Sequence, residues 1–294
     1  MLTFGTRGKL MSILSKHSAG LAMLVFVLLW GSAAIFTRWG LNHSSVAILL
    51  IGRYAVALIV LSIIALKTRQ WLPDQGTRWQ VLRAGFLLVG GYSIAYFEAM
   101  AHGITPGLLA TLLGTQPILT LLITERRFSP LRLAGLLLAL FGLILIVGKG
   151  LSLAGMDVWA WVFSFIALAC ITLGTLLQKK IKQAPQQVLP LQFLLTLLMC
   201  LALLPQTTVP TDFSFGYWMP VLWLGVVISV VAQLLLYKLI QGGNVVNITS
   251  LFYLVPIVTA ILDFLGWGHA MSLTEILGMA AIVLGIVLVF KPSK

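Results

Sequence analysis

The sequence predicts an all-α integral membrane protein: ten transmembrane helices arranged as two inverted five-helix repeats. Three observations lead there: a composition too apolar for solution, apolar runs long enough to cross a bilayer, and a second half that repeats the first. Of 294 residues, 60% are hydrophobic and only 9% charged, and mean hydropathy is +1.06. A soluble domain is about a quarter charged. About 20 apolar residues at ~1.5 Å each span the ~30 Å hydrocarbon layer. In lipid every backbone polar group must be paired internally, so such runs fold as helices.

The chain opens with a short basic segment, 1–19, carrying Arg7, Lys9 and Lys16. The first span, 20–40, follows it. That run reaches Arg38 without a cleavage context, so it is expected to be retained rather than removed as a leader, with Met11 an alternative start. The second span is 46–66, the third 84–104 and the fourth 107–124. The fifth and sixth follow at 131–148 and 157–177. The seventh, 188–204, is bracketed by Pro190 and Pro205, the eighth is 217–237, the ninth 245–264 and the tenth 273–290. The longest connections lie near 67–83 and 205–216, the latter reading PQTTVPTDFSFG. Cys170 and Cys200 fall inside spans and read as small packing residues.

The fourth span contains LLGTQPILTLLI (112–123), with Pro117 in what reads as a helix interior. There proline costs about 3 kcal/mol, because it deletes a hydrogen bond and collides with the preceding turn. The ninth span repeats the oddity in SLFYLVPIVTAILDF (250–264), with Pro256. Aligning the two prolines puts Gly103 on Gly242, Leu112 on Leu251, Ile118 on Ile257 and Thr120 on Thr259. A four-residue insertion within 266–270 then brings Gly135 and Gly142 onto Gly278 and Gly285. Five spans per copy is an odd number, so the second copy enters the membrane from the opposite side. The glycine pairs predict close packing of the fifth span on the tenth. The prolines predict bends facing a cavity, acting as helix hinges.

Charge supplies the orientation. Of 19 Lys and Arg, all but Arg38, Arg53 and Lys149 (19 − 3 = 16) fall on the side of the N-terminus in this threading. By the positive-inside rule both termini are cytoplasmic. The +12 net charge is thereby a topology signal rather than a nucleic-acid surface.

Several stretches resemble one family. LLWGSAAIF (28–36), Arg53 in IGRYAVAL, YFEAMAHGITPGLLATLLGTQPIL (96–119) and Glu125 in TERRFSPLRLAGLLLALFGLILI are similar to patterns of the drug/metabolite transporter superfamily, EamA-type members. LLYKLIQGGNVVNITSLFYLVPIV (235–258) and ILGMAAIVLGIVLV (276–289) repeat the resemblance, which covers roughly 20–290. Two departures stand out. Thr124 precedes Glu125, and the second copy has LGW (265–267) where the family often has Leu-Gly-Glu. The resemblance implies one EamA-like repeat over 20–150 and another over 151–294. It also implies export of a small metabolite, such as an amino acid, nucleoside or amphipathic compound, across a bacterial inner membrane.

For function, no HExxH, GxSxG, paired-carboxylate or Cys-rich metal pattern occurs. No catalytic residue, metal or cofactor is therefore expected. The rival readings are a membrane-embedded enzyme and a non-transporting receptor or assembly subunit. GKG at 148–150 lacks the frame of a nucleotide-binding loop, so uphill transport would draw on an ion or solute gradient or on a partner. Four ionisable groups lie within spans: Arg38, Arg53, Glu98 and Asp263. Arg53 is too deep to stand alone and is expected to pair with Glu98 or Asp263. Uncharged polar and aromatic residues near mid-depth are the candidates for a substrate cavity: Trp30, Tyr92, Tyr96, Thr115, Gln116, Gln233, Tyr237 and Tyr253. The expected partners are the lipid bilayer and a small solute, with monomer and homodimer both open.

Overall fold

The structure is a computed structural model. It describes residues 4–68, 72–125, 129–148, 157–206, 210–258, 261 and 272–291, with side chains from Gly20 onward (Thr68 and Gln206 excepted). Among the described residues there are ten helical spans: α1 (Phe4–Leu41), α2 (Val46–Thr68), α3 (Gln75–Ala101), α4 (Pro106–Thr124) and α5 (Pro130–Val147), then α6 (Val158–Lys179), α7 (Pro185–Leu203), α8 (Phe215–Gly242), α9 (Val245–Val258) and α10 (Leu273–Phe290). All but α9 are long and apolar enough to cross a membrane, and α9 is apolar but shorter within the described residues. Asp263 and the LGW triplet lie outside them.

The contacts obey a two-fold that exchanges the copies. α3 packs on α6 as α8 packs on α1, and α2 packs on α8 as α7 packs on α3, while α2/α7, α4/α9 and α5/α10 each pack on their own mate. Two copies related by a two-fold give this reciprocity, and five spans per copy place one copy inverted against the other. The glycines of α5 and α10 are reciprocal as well: a Cβ at Gly135 would stand 2.7 Å from the Gly285 carbonyl oxygen, and one at Gly142 2.5 Å from that of Gly278. The bare glycine backbones let these two helices touch, the usual device for packing helices in lipid.

Buried apolar side chains form a large cluster from α1–α3 and α6–α9 and a smaller one from α4, α5, α9 and α10. Many large apolar side chains, among them Ile59, Phe141, Phe165 and Leu284, stay on the outside. On a soluble protein that surface would aggregate; in a bilayer it is the lipid face.

Two local irregularities recur in both copies. α3 and α8 each widen into a π-helical stretch, Phe86–Gly91 and Trp223–Ala232, at equivalent positions. π segments leave backbone groups looser than an α-helix and frequently mark functional sites. α4 and α9 are both broken. In α4 one piece ends at Leu113 and the next runs Gln116–Thr124; in α9 the 3-10 stretch Leu251–Leu254 separates Val245–Ser250 from the turn holding Pro256. This corrects the expectation for Pro117. It stands in the first turn of a new helical piece, where the missing N–H has no partner to lose.

The turn between α3 and α4 shows why the third span stops. Gly103 takes φ 96, and the N–H of Ile104 reaches back to the Ala99 carbonyl at 3.2 Å, a Schellman-type close. Thr105 then caps α4 and Pro106 begins it.

Candidate substrate cavity

A cavity of about 130 Å³ lies at the centre, walled by α1, α2, α3, α4, α6, α7, α8 and α9. Both helix breaks face it, through Gly114 and Gln116 of α4 and through Phe252, Val255 and Pro256 of α9. Both π stretches face it too, through Leu88 and Val89 and through Ile228 and Ser229.

Of the candidates read from sequence, Trp30, Tyr92, Tyr96, Gln116 and Gln233 line this cavity, and so does Pro256. Trp30 packs edge-on against Phe252 at 5.6 Å between ring centres, and Tyr92 tilts against Tyr96 at 5.7 Å. Gln116 lends its side-chain amide N–H to Thr175 Oγ1 at 3.4 Å.

Three candidates lie elsewhere. Tyr237 is buried and donates to Gln192 Oε1 at 2.6 Å, in a network that runs on to Gln178 and the Val81 carbonyl. It joins α8 to α7, α6 and α3. Thr115 turns its hydroxyl back to the Leu112 carbonyl at 2.7 Å, which helps close the first piece of α4. Tyr253 donates its hydroxyl hydrogen to the Gly114 carbonyl, a group the α4 break leaves open. Which face of its helix each of the three turns toward a neighbour was not readable from sequence. Pro117 is buried beside the break but is absent from the cavity wall.

The charges are arranged differently from expectation. Glu98 does not pair with Arg53: its carboxylate lies 3.9 Å from His102 Nε2. With Arg38 it faces a separate cleft at one end of the bundle, the end of connections 41–46, 101–106 and 203–215. Arg38 donates to the Met100 carbonyl at 3.1 Å. Arg53 is 8% exposed and faces the central cavity. Its Nε donates to Ser229 Oγ at 2.8 Å. Its guanidinium carbon sits 5.2 Å from the Tyr54 ring centre and 5.7 Å from that of Phe97. The approach depends on Gly225, where a Cβ would stand 2.9 Å from the Arg53 carbonyl oxygen. Ser229 was missed from sequence because 176 residues separate it from Arg53.

Polar ties hold each end of the bundle, across the copies through the two histidine–aspartate pairs and through Arg132, and within the second copy through Lys179. At the Arg38–Glu98 end, His43 Nδ1 meets Asp212 Oδ2 at 3.2 Å and His102 Nδ1 meets Asp157 Oδ2 at 2.8 Å. The hydrogen bonds from Ser214 and His43 hold Asp212 below the usual aspartate range, and His102 does the same for Asp157. At the other end, Lys179 Nζ caps α8 through the carbonyls of Ile240, Gln241 and Gly243. There Arg132 holds Glu125, Asn244 and Asn247. Among the described residues no cluster of His, Cys, Asp and Glu suited to a metal occurs.

The chain is similar to known proteins along most of its length. It is 25% identical over 255 residues to an uncharacterized transporter of Archaeoglobus fulgidus, covering 83% of this chain and 87% of that one. A solved crystal structure, 19% identical, superposes with a TM-score of 0.77 over 92% of this chain and 98% of the other, which establishes a shared fold. The sequence profile of the EamA-like transporter family matches twice, over residues 17–148 and 158–291. With both copies matched, this integral membrane protein belongs to the EamA-like transporter family.

Proposed function

We propose that this transporter exports a small metabolite, such as an amino acid, nucleoside or amphipathic compound, across the bacterial inner membrane by alternating access, with both termini cytoplasmic. The observation that carries this reading is the cavity between two broken helices related by the two-fold of the inverted repeat. Inverted repeats place a site near the midplane at their interface and open it by rocking one copy against the other. The ties across the copies at the two ends are the contacts such rocking must break in turn: His43–Asp212 and His102–Asp157 at one, Arg132 with Asn244 and Asn247 at the other. The cycle in this reading runs by proton coupling, exchange or facilitated diffusion, and the proton-gradient arm of the assay below tells the first from the others.

Purified protein in proteoliposomes, screened with labelled amino acids, nucleosides and cationic dyes with and without a proton gradient, tests the proposal. We expect saturable flux of at least one class. Flux no greater than in empty vesicles for every class would overturn it, and with it favour a receptor or assembly role.

A further inference from the structure

We propose that the central cavity is built for an organic anion, a small carboxylate with an apolar or aromatic body, and that Arg53 is its anchoring residue. The inference rests on the transporter reading and deepens it by naming the solute's charge.

Among the described residues lining the cavity, Arg53 is the only charged one: no Asp, Glu, Lys or His shares the wall. None of the ion pairs among the described residues includes Arg53 either. An arginine at this depth is expensive and is retained where it has a partner or a task. Here the protein supplies only part of a partner. Ser229 takes Nε, and the rings of Tyr54 and Phe97 lie near the guanidinium. No described group takes Nη1 or Nη2. Those two donors form the parallel fork that fits the two oxygens of a carboxylate. The same low-dielectric surroundings that make the lone cation costly strengthen its attraction to an incoming anion.

The rest of the wall describes the solute's other end. Trp30 and Phe252 present an aromatic face, and Gln116 and Gln233 offer uncharged amides. Among the described lining residues none carries a negative charge to neutralise an ammonium group. A cation would enter against the charge of Arg53, with uncharged amides, hydroxyls and ring faces but no carboxylate among the described lining to receive it, so the site selects against cations as well as for anions.

The test is titration calorimetry on the full-length, detergent-solubilised protein with phenylacetate, phenylacetamide and 2-phenylethylamine, which share a ring and differ in charge. Wild type should bind phenylacetate at least tenfold more tightly than phenylacetamide, and 2-phenylethylamine most weakly. Arg53→Gln should abolish the carboxylate preference, Arg53→Lys should keep part of it, and Arg38→Gln should keep all of it. The wild-type series decides the point even if Arg53→Gln does not fold. Equal binding of acid and amide, preference for the amine, binding of none of the three, or a carboxylate preference that survives Arg53→Gln would overturn the proposal. Vesicle flux separates this from the transporter reading. Flux restricted to amines or neutral solutes keeps the transporter and removes the anion site, whereas anion binding without any flux does the reverse.

Discussion

Tyr253 donates its hydroxyl hydrogen to the carbonyl oxygen of Gly114, and the two residues are repeat mates. The offset that aligns the prolines (256 − 117 = 139) also aligns 253 with 114. A residue touching its own counterpart lies beside the axis that relates the copies, so this bond pins the two helix breaks to one another. Gly114 supplies the acceptor because Ile118, which in an unbroken helix would bond to it, bonds to Thr115 at 3.1 Å instead.

Tyr253→Phe keeps the ring and removes the bond, leaving a buried carbonyl without its partner. Hydrogen bonds between membrane helices are worth about 0.6–1.7 kcal/mol, and orphaning a buried acceptor costs about 1–3 kcal/mol. A loss of about 1 kcal/mol is therefore expected, read as a melting temperature a few degrees lower. An unchanged midpoint would mean that another group takes over the Gly114 carbonyl.

The α5–α10 seam gives a sharper steric prediction. An added Cβ would stand 2.5 Å from backbone oxygen at Gly142 and 2.6 Å from it at Gly278, whereas at Gly20 nothing lies within 4 Å. Backbone cannot swing aside as a flexible side chain does. Gly142→Ala and Gly278→Ala should each cost about 1–3 kcal/mol, as overpacking does, and Gly20→Ala should cost nothing measurable. Equal thermal stability of all three variants would show that the seam can part cheaply.

Acid should loosen the end held by the histidine–aspartate pairs. Asp157 and Asp212 sit below their ordinary range because of His102 and of Ser214 with His43, and Glu98 also faces His102. A carboxyl depressed in the folded state contributes stability above its unfolded value, about 4. That contribution is lost as pH falls through the lower folded value. Wild type should therefore lose more thermal stability between pH 5 and pH 3 than an Asp157→Asn, Asp212→Asn double variant does. Parallel curves for the two proteins would remove these pairs from the acid response.

Much of this architecture was legible because lipid makes it so. Long apolar runs force helices, paired glycines forecast the α5–α10 seam, and matching prolines exposed the repeat. What stayed hidden depends on which way a side chain turns. Tyr237 and Gln233 are one helical turn apart, yet Gln233 faces the cavity and Tyr237 the Gln192 network. The π stretches of α3 and α8 likewise shift register along their own helices without any mark in composition. Arg53 was recognised as anomalous, but a carboxylate was sought for it, whereas its neighbours are a serine hydroxyl and two rings. Of the two carboxylates expected for Arg53, Glu98 instead faces His102, and Asp263 lies outside the described residues.

Orientation is open to direct labelling, because both native cysteines are buried and give little background. Pro210 and Lys182 are exposed and lie at opposite ends of the bundle. In intact cells, Pro210→Cys should react with an impermeant thiol reagent from outside, and Lys182→Cys only after permeabilisation. The opposite pattern would reverse the cytoplasmic assignment of the termini while leaving the fold untouched.

The prolines themselves yield the last prediction. Pro117 costs little where it stands, since the first turn of a helical piece has no intrahelical use for its N–H. What it does is prevent the two pieces of α4 from fusing, because an N–H at 117 would bond back to the Leu113 carbonyl and rebuild a continuous turn. Pro256 acts likewise on the Phe252 carbonyl, beyond the 3-10 stretch of α9. If α4 and α9 exchange shapes during alternating access, each needs its break, and Pro117→Ala or Pro256→Ala should bias the helix toward one shape. Both variants should fold with melting temperatures no lower than wild type, because alanine replaces a helix breaker. Vesicle flux should fall in each and furthest in the double variant, while binding in detergent survives or tightens if the favoured state is the competent one. Rate and affinity measured side by side separate this from simple damage, which would lower both. Wild-type flux in all three variants would mean that the breaks are fixed features of the cavity wall and that the motion pivots elsewhere.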